Sequence, residues 1–226
     1  MDPIILITIF VIIFGAGAYL AYKSEQKRKE QMQSVAEELG MTFLPDAGNR
    51  IIENLSNHHL FSEGGRKKVT NLLKGRTQDV EVCIFDYKYS DNYRGNSQSI
   101  KKQTVIYFTH QDLDLPQFEM RPENIFHKIG SYFGMQDIDF DNQPGFSSNY
   151  LLKGRDEEAV RSMFTDEHFD YFSHHLDWNI EGNGKDLVIY EANERQDPED
   201  IKDFFEKGLK VMRLFINNQT SSNRTA

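Results

Sequence analysis

Twenty consecutive residues, PIILITIFVIIFGAGAYLAY from Pro3 to Tyr22, carry no charge. As a helix rising 1.5 Å per residue the segment spans about 30 Å, the thickness of a bilayer's hydrocarbon core. In hydrocarbon every backbone polar group needs a partner within the segment itself, so a helix is the form this stretch takes. Tyr19 and Tyr22 fall near its end, where amphipathic rings favour the interface, and Lys23, Lys27, Arg28 and Lys29 follow at once, whereas only Asp2 precedes it. Cations resist translocation, so the bias places the N-terminus outside and the rest in the cytoplasm, a single-pass protein of the cell inner membrane. A cleaved signal peptide is the competing reading, with Ile4–Phe14 as its apolar core and Ala16-Gly17-Ala18 as the processing site. It lacks a basic leading region, and the apolar run continues past the site to Tyr22. Gly17 and Ala21 have the small-xxx-small spacing that lets two membrane helices approach, which allows a weak homodimer.

Charge divides the chain. Its net charge is −9, yet residues 1–30 hold four Lys/Arg against three Asp/Glu, leaving −10 on the remainder. An acidic body is poorly suited to covering phosphates, so nucleic acid is excluded as a partner, while the basic collar of Lys23, Lys27, Arg28 and Lys29 suits lipid headgroups. With 17 Phe and 10 Tyr, the body has too much large apolar surface to stay disordered. Cys83 is the single cysteine, so no internal disulfide forms, as befits a reducing compartment.

Periodicity sets out the elements. Met32, Val35, Ala36 and Leu39 recur at helical spacing before Gly40, a left-handed stop, so the anchor helix is expected to run on to there. MTFLP reads as extended, Asn49–His59 as an amphipathic helix and SEGGRKK as a loop. Asp79–Tyr89 and Gln103–Thr109 are apolar on both alternating faces, as in central strands, with residues 90–102 a long polar hairpin loop between them. Gln117–Arg121 is a third strand, and Pro122 opens a helix to Gly134. A strand at Asn149–Gly154, helices from Asp156 and Thr165, a hairpin turning at Asn183-Gly184 and a helix capped by Asp197-Pro198 complete the list. The expected class is α+β: a transmembrane helix, then antiparallel strands with helices packed on one face. The divisions are an anchor at 1–22, a collar and juxtamembrane helix at 23–40, a body at 41–217 and a disordered tail at 218–226. LLKGR occurs at both Leu72–Arg76 and Leu151–Arg155. A strand follows one copy and a helix the other, so the repeat marks two strand ends and leaves two sheet-bearing halves, 41–134 and 135–217, as the surviving form of a duplication.

Three constellations could carry chemistry. Tyr87, Tyr89, Tyr93 and Arg94 gather at a strand end and loop, the residue types favoured at protein interfaces, though tyrosines closing a sheet end account for them nearly as well. Glu167, Asp170, His174 and Asp177 follow helical spacing and could hold a divalent cation for a metal-dependent hydrolase, but a solvated helix face has the same pattern. DIDFDN, Asp137–Asn142, begins like a calcium loop but lacks the sixth-place glycine and twelfth-place carboxylate, so it reads as an acidic edge strand. EGGRKK lacks the context of a phosphate loop, Cys83 lies mid-strand, and no nucleophile elbow occurs. No cofactor motif is present.

FDYKY, QTV, LPQFEMRPE, DIDFD and FSSNYLLKGRDEEAVRSMF, behind an N-terminal anchor, resemble a family of bacterial single-pass membrane-anchored proteins of unknown function, across most of residues 36–190. The resemblance implies a bacterial membrane-anchored α+β protein and carries no catalytic residues. The functional expectation is a noncatalytic domain that binds or scaffolds a protein partner at the membrane. A metal-dependent hydrolase and an inner-leaflet lipid-contacting module are the alternatives.

Overall fold

The structure, a computed structural model, describes residues 3–48, 50–77, 79–91, 99–123 and 136–222. The apolar segment and the juxtamembrane stretch of helical period form one unbroken helix, α1 (Pro3–Glu38), about 54 Å long, which ends as Gly40 turns left-handed at φ +66°. Its first part is long and apolar enough to cross a membrane, and none of that part is covered by the rest of the chain. Met32 and Ala36, near the other end, are fully buried against the sheet.

Among the described residues that sheet has nine antiparallel strands: β1 (Thr42–Asp46), β2 (Gly65–Arg76), β3 (Val80–Asp91), β4 (Ser99–His110), β5 (Leu115–Pro122), β6 (Gln136–Asp137), β7 (Tyr150–Gly154), β8 (Trp178–Gly184) and β9 (Asp186–Glu191). Their spatial order is β1-β2-β3-β4-β9-β8-β5-β7-β6. Strands from 41–134 and from 135–217 interleave in it, because β5 lies between β8 and β7. Both LLKGR copies finish strands, β2 and β7.

Helices cover both faces, not the single face expected. On one lie the end of α1, α4 (Pro144–Asn149), α5 (Glu157–Met163), α6 (Asp166–Ser173) and α7 (Ile201–Ser222), closing over Ile84, Phe108, Leu152 and Ile189. On the other, α2 (Arg50–Asn54) and α3 (His59–Ser62) cover a smaller core containing Leu72, Phe85, Val105 and Val188. The helix expected over Asn49–His59 is these two short pieces, joined by turns at Leu55 and His58.

Several boundaries differ from the sequence reading for identifiable reasons. SEGGRKK is mostly strand, because β2 starts at Gly65 and absorbs its polar residues through a bulge at Arg66 (φ +50°); a second bulge follows at Asn71 (φ +53°). The β3–β4 ladder pairs as far as Asp91 with Ser99, so much of the polar stretch 90–102 is strand held by cross-strand hydrogen bonds. Gly184 leads the β8–β9 turn at φ +59°, with Asn183 paired to Asp186, so the loop is Gly184-Lys185, one residue on from the expected turn. α7 continues to Ser222, into the polar tail. The helix expected at 122–134 falls almost wholly outside the described residues.

Candidate functional site

α1 packs on β1 and β2 and reaches β3 through Arg28 and Asp86, and both surfaces change character together toward the apolar segment. Ala36 and Met32 on the helix share one apolar core with Leu73, Ile84 and Ile106 on the sheet. One turn further on, Arg28 meets Asp86, and beyond it Glu25, Ala21 and Tyr22 face the strand ends. On the sheet side the same strand positions continue as Thr70, Asp86 and Thr104, then Lys68, Lys88 and Lys102.

The Asp86 layer is a lock. Arg28 donates from Nε and Nη2 to the two Asp86 carboxylate oxygens, both at 2.8 Å. Asn71 Nδ2 donates at 2.8 Å, Thr104 Oγ1 at 3.2 Å and Arg195 Nη2 at 3.1 Å. Arg195 also forks onto Glu25 at 2.7 and 2.6 Å, so one arginine bridges the anchor helix to the sheet. The bulge at Asn71 turns its side chain toward Asp86; asparagine tolerates the left-handed backbone this requires. Burial alone would raise the Asp86 carboxyl, but the hydrogen-bonded Arg28 and the charge of Arg195 overcome it and hold the pKa below its usual value. Fork-to-carboxylate geometry is directional as well as strong, so it fixes the roll of α1 against the sheet.

Above this lock opens a cleft of about 790 Å³ whose walls include Tyr22, Lys29, Lys88 and Lys102. Lys68 pairs in register with Lys88, and Lys88 with Lys102, so three lysines stand side by side across three strands, within about 10 Å. Asp46 lies 3.5 Å from Lys68, an exposed pair; among the described residues no carboxylate is within ion-pair distance of Lys29, Lys88 or Lys102.

A second polar cluster sits on the opposite face. Glu119 and Glu181 are register partners on β5 and β8, both buried. His59 Nδ1 lies 3.2 Å from Glu119 Oε1, which also accepts from Arg121 at 3.1 Å; Leu60 N–H and Tyr190 Oη donate to Glu181 Oε1. Burial opposes a charge on His59, but hydrogen bonds to Glu119 and Glu63 push it up to about 10. Burial, with Glu119 opposite, pushes Glu181 up to about 7, and burial takes His58 down to about 4. His58 and Glu181 therefore favour their neutral forms although they stand 3.8 Å apart. The cavity there holds about 10 Å³, room for about one water and for no substrate, so the cluster ties α3 to the sheet.

The residues singled out from sequence are distributed as follows. Arg28 leaves the lipid collar, being buried on Asp86; Lys23 and Lys27 are exposed, and Lys29 lines the cleft. Tyr87 is buried, its ring 4.7 Å from Phe61 and 5.5 Å from Tyr89, so it belongs to the smaller core and not to a contact rim. Tyr93 and Arg94 lie outside the described residues. α6 stops at Ser173, so Asp177 is not carried on one face with Asp170, and His174 Nδ1 is 2.9 Å from the Asp170 carbonyl. Among the described residues no group of three or more His, Cys, Asp or Glu is arranged to hold a metal ion. Cys83 is buried and its thiol pushed up to about 11, chiefly by burial.

Asp86, Glu119 and Glu181 were missed. Their signal was present as single charges within otherwise apolar strands, Phe85-Asp86-Tyr87 and Phe118-Glu119-Met120. Such charges are retained in a core only when paired.

Fold and site together define an apolar anchor helix continuous with, and locked onto, a nine-stranded antiparallel α+β domain. No protein-family model matches the sequence, and no curated protein matches it. A solved structure similar to this one is the crystal structure of the mycobacterial trehalose monomycolate transport factor A, TtfA, with a TM-score of 0.62 at 12% identity, over 84% of this chain and 93% of that chain. At that identity the likeness is one of fold.

Proposed function

We propose that the protein is a single-pass, noncatalytic binding domain working at the cytoplasmic face of the inner membrane, with anchor and sheet acting as one body. The observation that carries this reading is the fork of Arg28, six residues past Tyr22, onto buried Asp86. A flexible tether would leave the domain free to tumble; a helix bonded to the sheet holds one face of it at a set height and angle to the bilayer. The sharing of this architecture with a transport factor favours binding over chemistry. The protein partner expected from the tyrosine-rich rim loses Tyr87 as a contact, which moves attention to the cleft beside α1.

The test is topological. Asp112 sits at the exposed turn between β4 and β5. A membrane-impermeant maleimide is expected to label Asp112→Cys only after the inner membrane is permeabilised, with buried Cys83 silent throughout. Labelling in intact spheroplasts would put the domain outside and overturn the assignment. Metal bound stoichiometrically by the wild type and lost in His174→Ala would replace the noncatalytic reading with the hydrolase.

A further inference from the structure

We propose that the cleft between α1 and the β2–β4 lysines takes the phosphate of an anionic phospholipid headgroup from the membrane the protein is anchored in. The assignment rests on the reading of an anchored binding domain and names that domain's ligand.

Like charges directly opposite on neighbouring strands destabilise a sheet. Here the arrangement occurs twice in succession, at Lys68–Lys88 and Lys88–Lys102, on the strands bonded most extensively to one another. Two residues inward, on the same face, the ladder carries threonine, aspartate and threonine, so the lysines are not filling an apolar layer. A row of ammonium groups within about 10 Å matches a phosphodiester or phosphomonoester, whose oxygens accept from several donors at once. Of the two carboxylates on the cleft, Glu25 and Asp86 are both engaged by Arg195, which leaves the lysine side of the wall net positive on a chain of net charge −9.

Position selects a lipid over a soluble phosphate. Tyr22 and Ala21, the last turn of the apolar span, form the other wall. From Arg28 to Tyr22 along α1 is about 9 Å, and from Asp86 to Lys88 along β3 about 7 Å, so the lysines stand at headgroup level when the span fills the bilayer. Ile100, two residues beyond Lys102 on the same strand face, is exposed on the membrane side of the row. A cation row with an apolar residue beyond it follows the order of headgroup and acyl chain.

Thermal unfolding of the full-length protein in nanodiscs tests this. Discs of phosphatidylcholine alone are compared with discs containing phosphatidylglycerol, and with phosphatidylcholine discs plus inorganic phosphate. For wild type, phosphatidylglycerol is expected to raise the midpoint and inorganic phosphate to leave it unchanged. K88Q/K102Q is expected to be more stable than wild type in phosphatidylcholine, since the repulsion is gone, and to bind phosphatidylglycerol roughly 30-fold more weakly, at about 1 kcal/mol per lysine. K23Q/K27Q, which alters only the exposed collar, controls for general attraction to an anionic surface: its loss of response is expected to vanish at high salt, where that of K88Q/K102Q persists. An undiminished phosphatidylglycerol response in K88Q/K102Q overturns the proposal. Equal stabilisation by inorganic phosphate does so too, assigning the cleft to a soluble phosphate, as does a K88Q/K102Q defect seen only in crosslinking to a protein. Nanodisc results do not depend on which side of the cell membrane the domain occupies, so this proposal and the topological one fail separately.

Discussion

Asp86→Asn is the most informative single change. It preserves volume and keeps one acceptor oxygen, but removes the charge that compensates buried Arg28 and partly compensates Arg195. Asp86 accepts five hydrogen bonds, from Arg28 twice and from Asn71, Thr104 and Arg195. An asparagine oxygen cannot receive both arms of the fork, and its amide group turns donors toward a guanidinium. Removing one partner of a buried pair costs about 3–5 kcal/mol, because the remaining charge is stranded, against a total stability of about 5–15 kcal/mol. For a domain of this size that corresponds to a fall in midpoint of roughly 6–20 °C. Chemical unfolding of the full-length protein in detergent, followed by near-ultraviolet circular dichroism, measures it. Arg28→Met in the same background removes the stranded charge and is expected to recover most of the loss. The cycle of the two single variants and the double variant isolates the coupling. The pH dependence has a fixed sign: the Asp86 pKa is depressed in the folded state, so its stabilisation is present above the ordinary carboxylate pKa of 3.8 and is lost as pH falls through the lower folded value. A loss under about 1 kcal/mol, or the same loss with and without Arg28, would refute the claim that this pair locks the anchor to the sheet.

Two further changes probe the rest of the fold. Glu181 moves from its ordinary 4.5 up to about 7, so the native state retains a proton that the unfolded chain releases, and this group's contribution to stability falls as pH rises from about 4.5 to 7. Glu181→Gln, facing His58, His59, Glu119 and Tyr190, is expected to be the more stable protein at pH 8 by up to about 3 kcal/mol, with the gap closing toward pH 5; a gap independent of pH would count against the assignment. Gly182 pairs with Phe118, whose ring lies where a Cβ would stand. Gly182→Ala is expected to cost about 1–3 kcal/mol in chemical unfolding, and a neutral result would mean that the Phe118 ring has room to move.

How far each feature was legible depends on the range of the interaction that sets it. The anchor, its continuation to Gly40, the strands of β3 and β4, the edge position of Asp137 and the caps at Asp156 and Thr165 follow from composition and periods of two or 3.6, which act over a few residues. Strand ends were less legible, because Ser90, Asp91 and residues 99–102 are held by their ladder partners and not by apolar alternation. Helical spacing placed Asp177 with Asp170, but α6 stopped at Ser173, where two histidines and a leucine gave no warning of the end. The α4 helix, one and a half turns long, is too short to show a period.

From sequence alone, then, came a helix long and apolar enough to span a membrane, an α+β body and the buried setting of Cys83, all products of local hydrophobicity. What only tertiary structure decided is where the charges meet. Arg28 and Asp86 are 58 residues apart, and Lys68, Lys88 and Lys102 are spread over 35 positions. In the chain, Arg28 is one cation among four in a basic collar. In the fold, α1 rolls so that this one turns inward onto a carboxylate, while the strand register sets three distant lysines in a row beside it. Registers and helix rotation are fixed by the packing of whole faces, a sum over many distant contacts that no window of sequence contains.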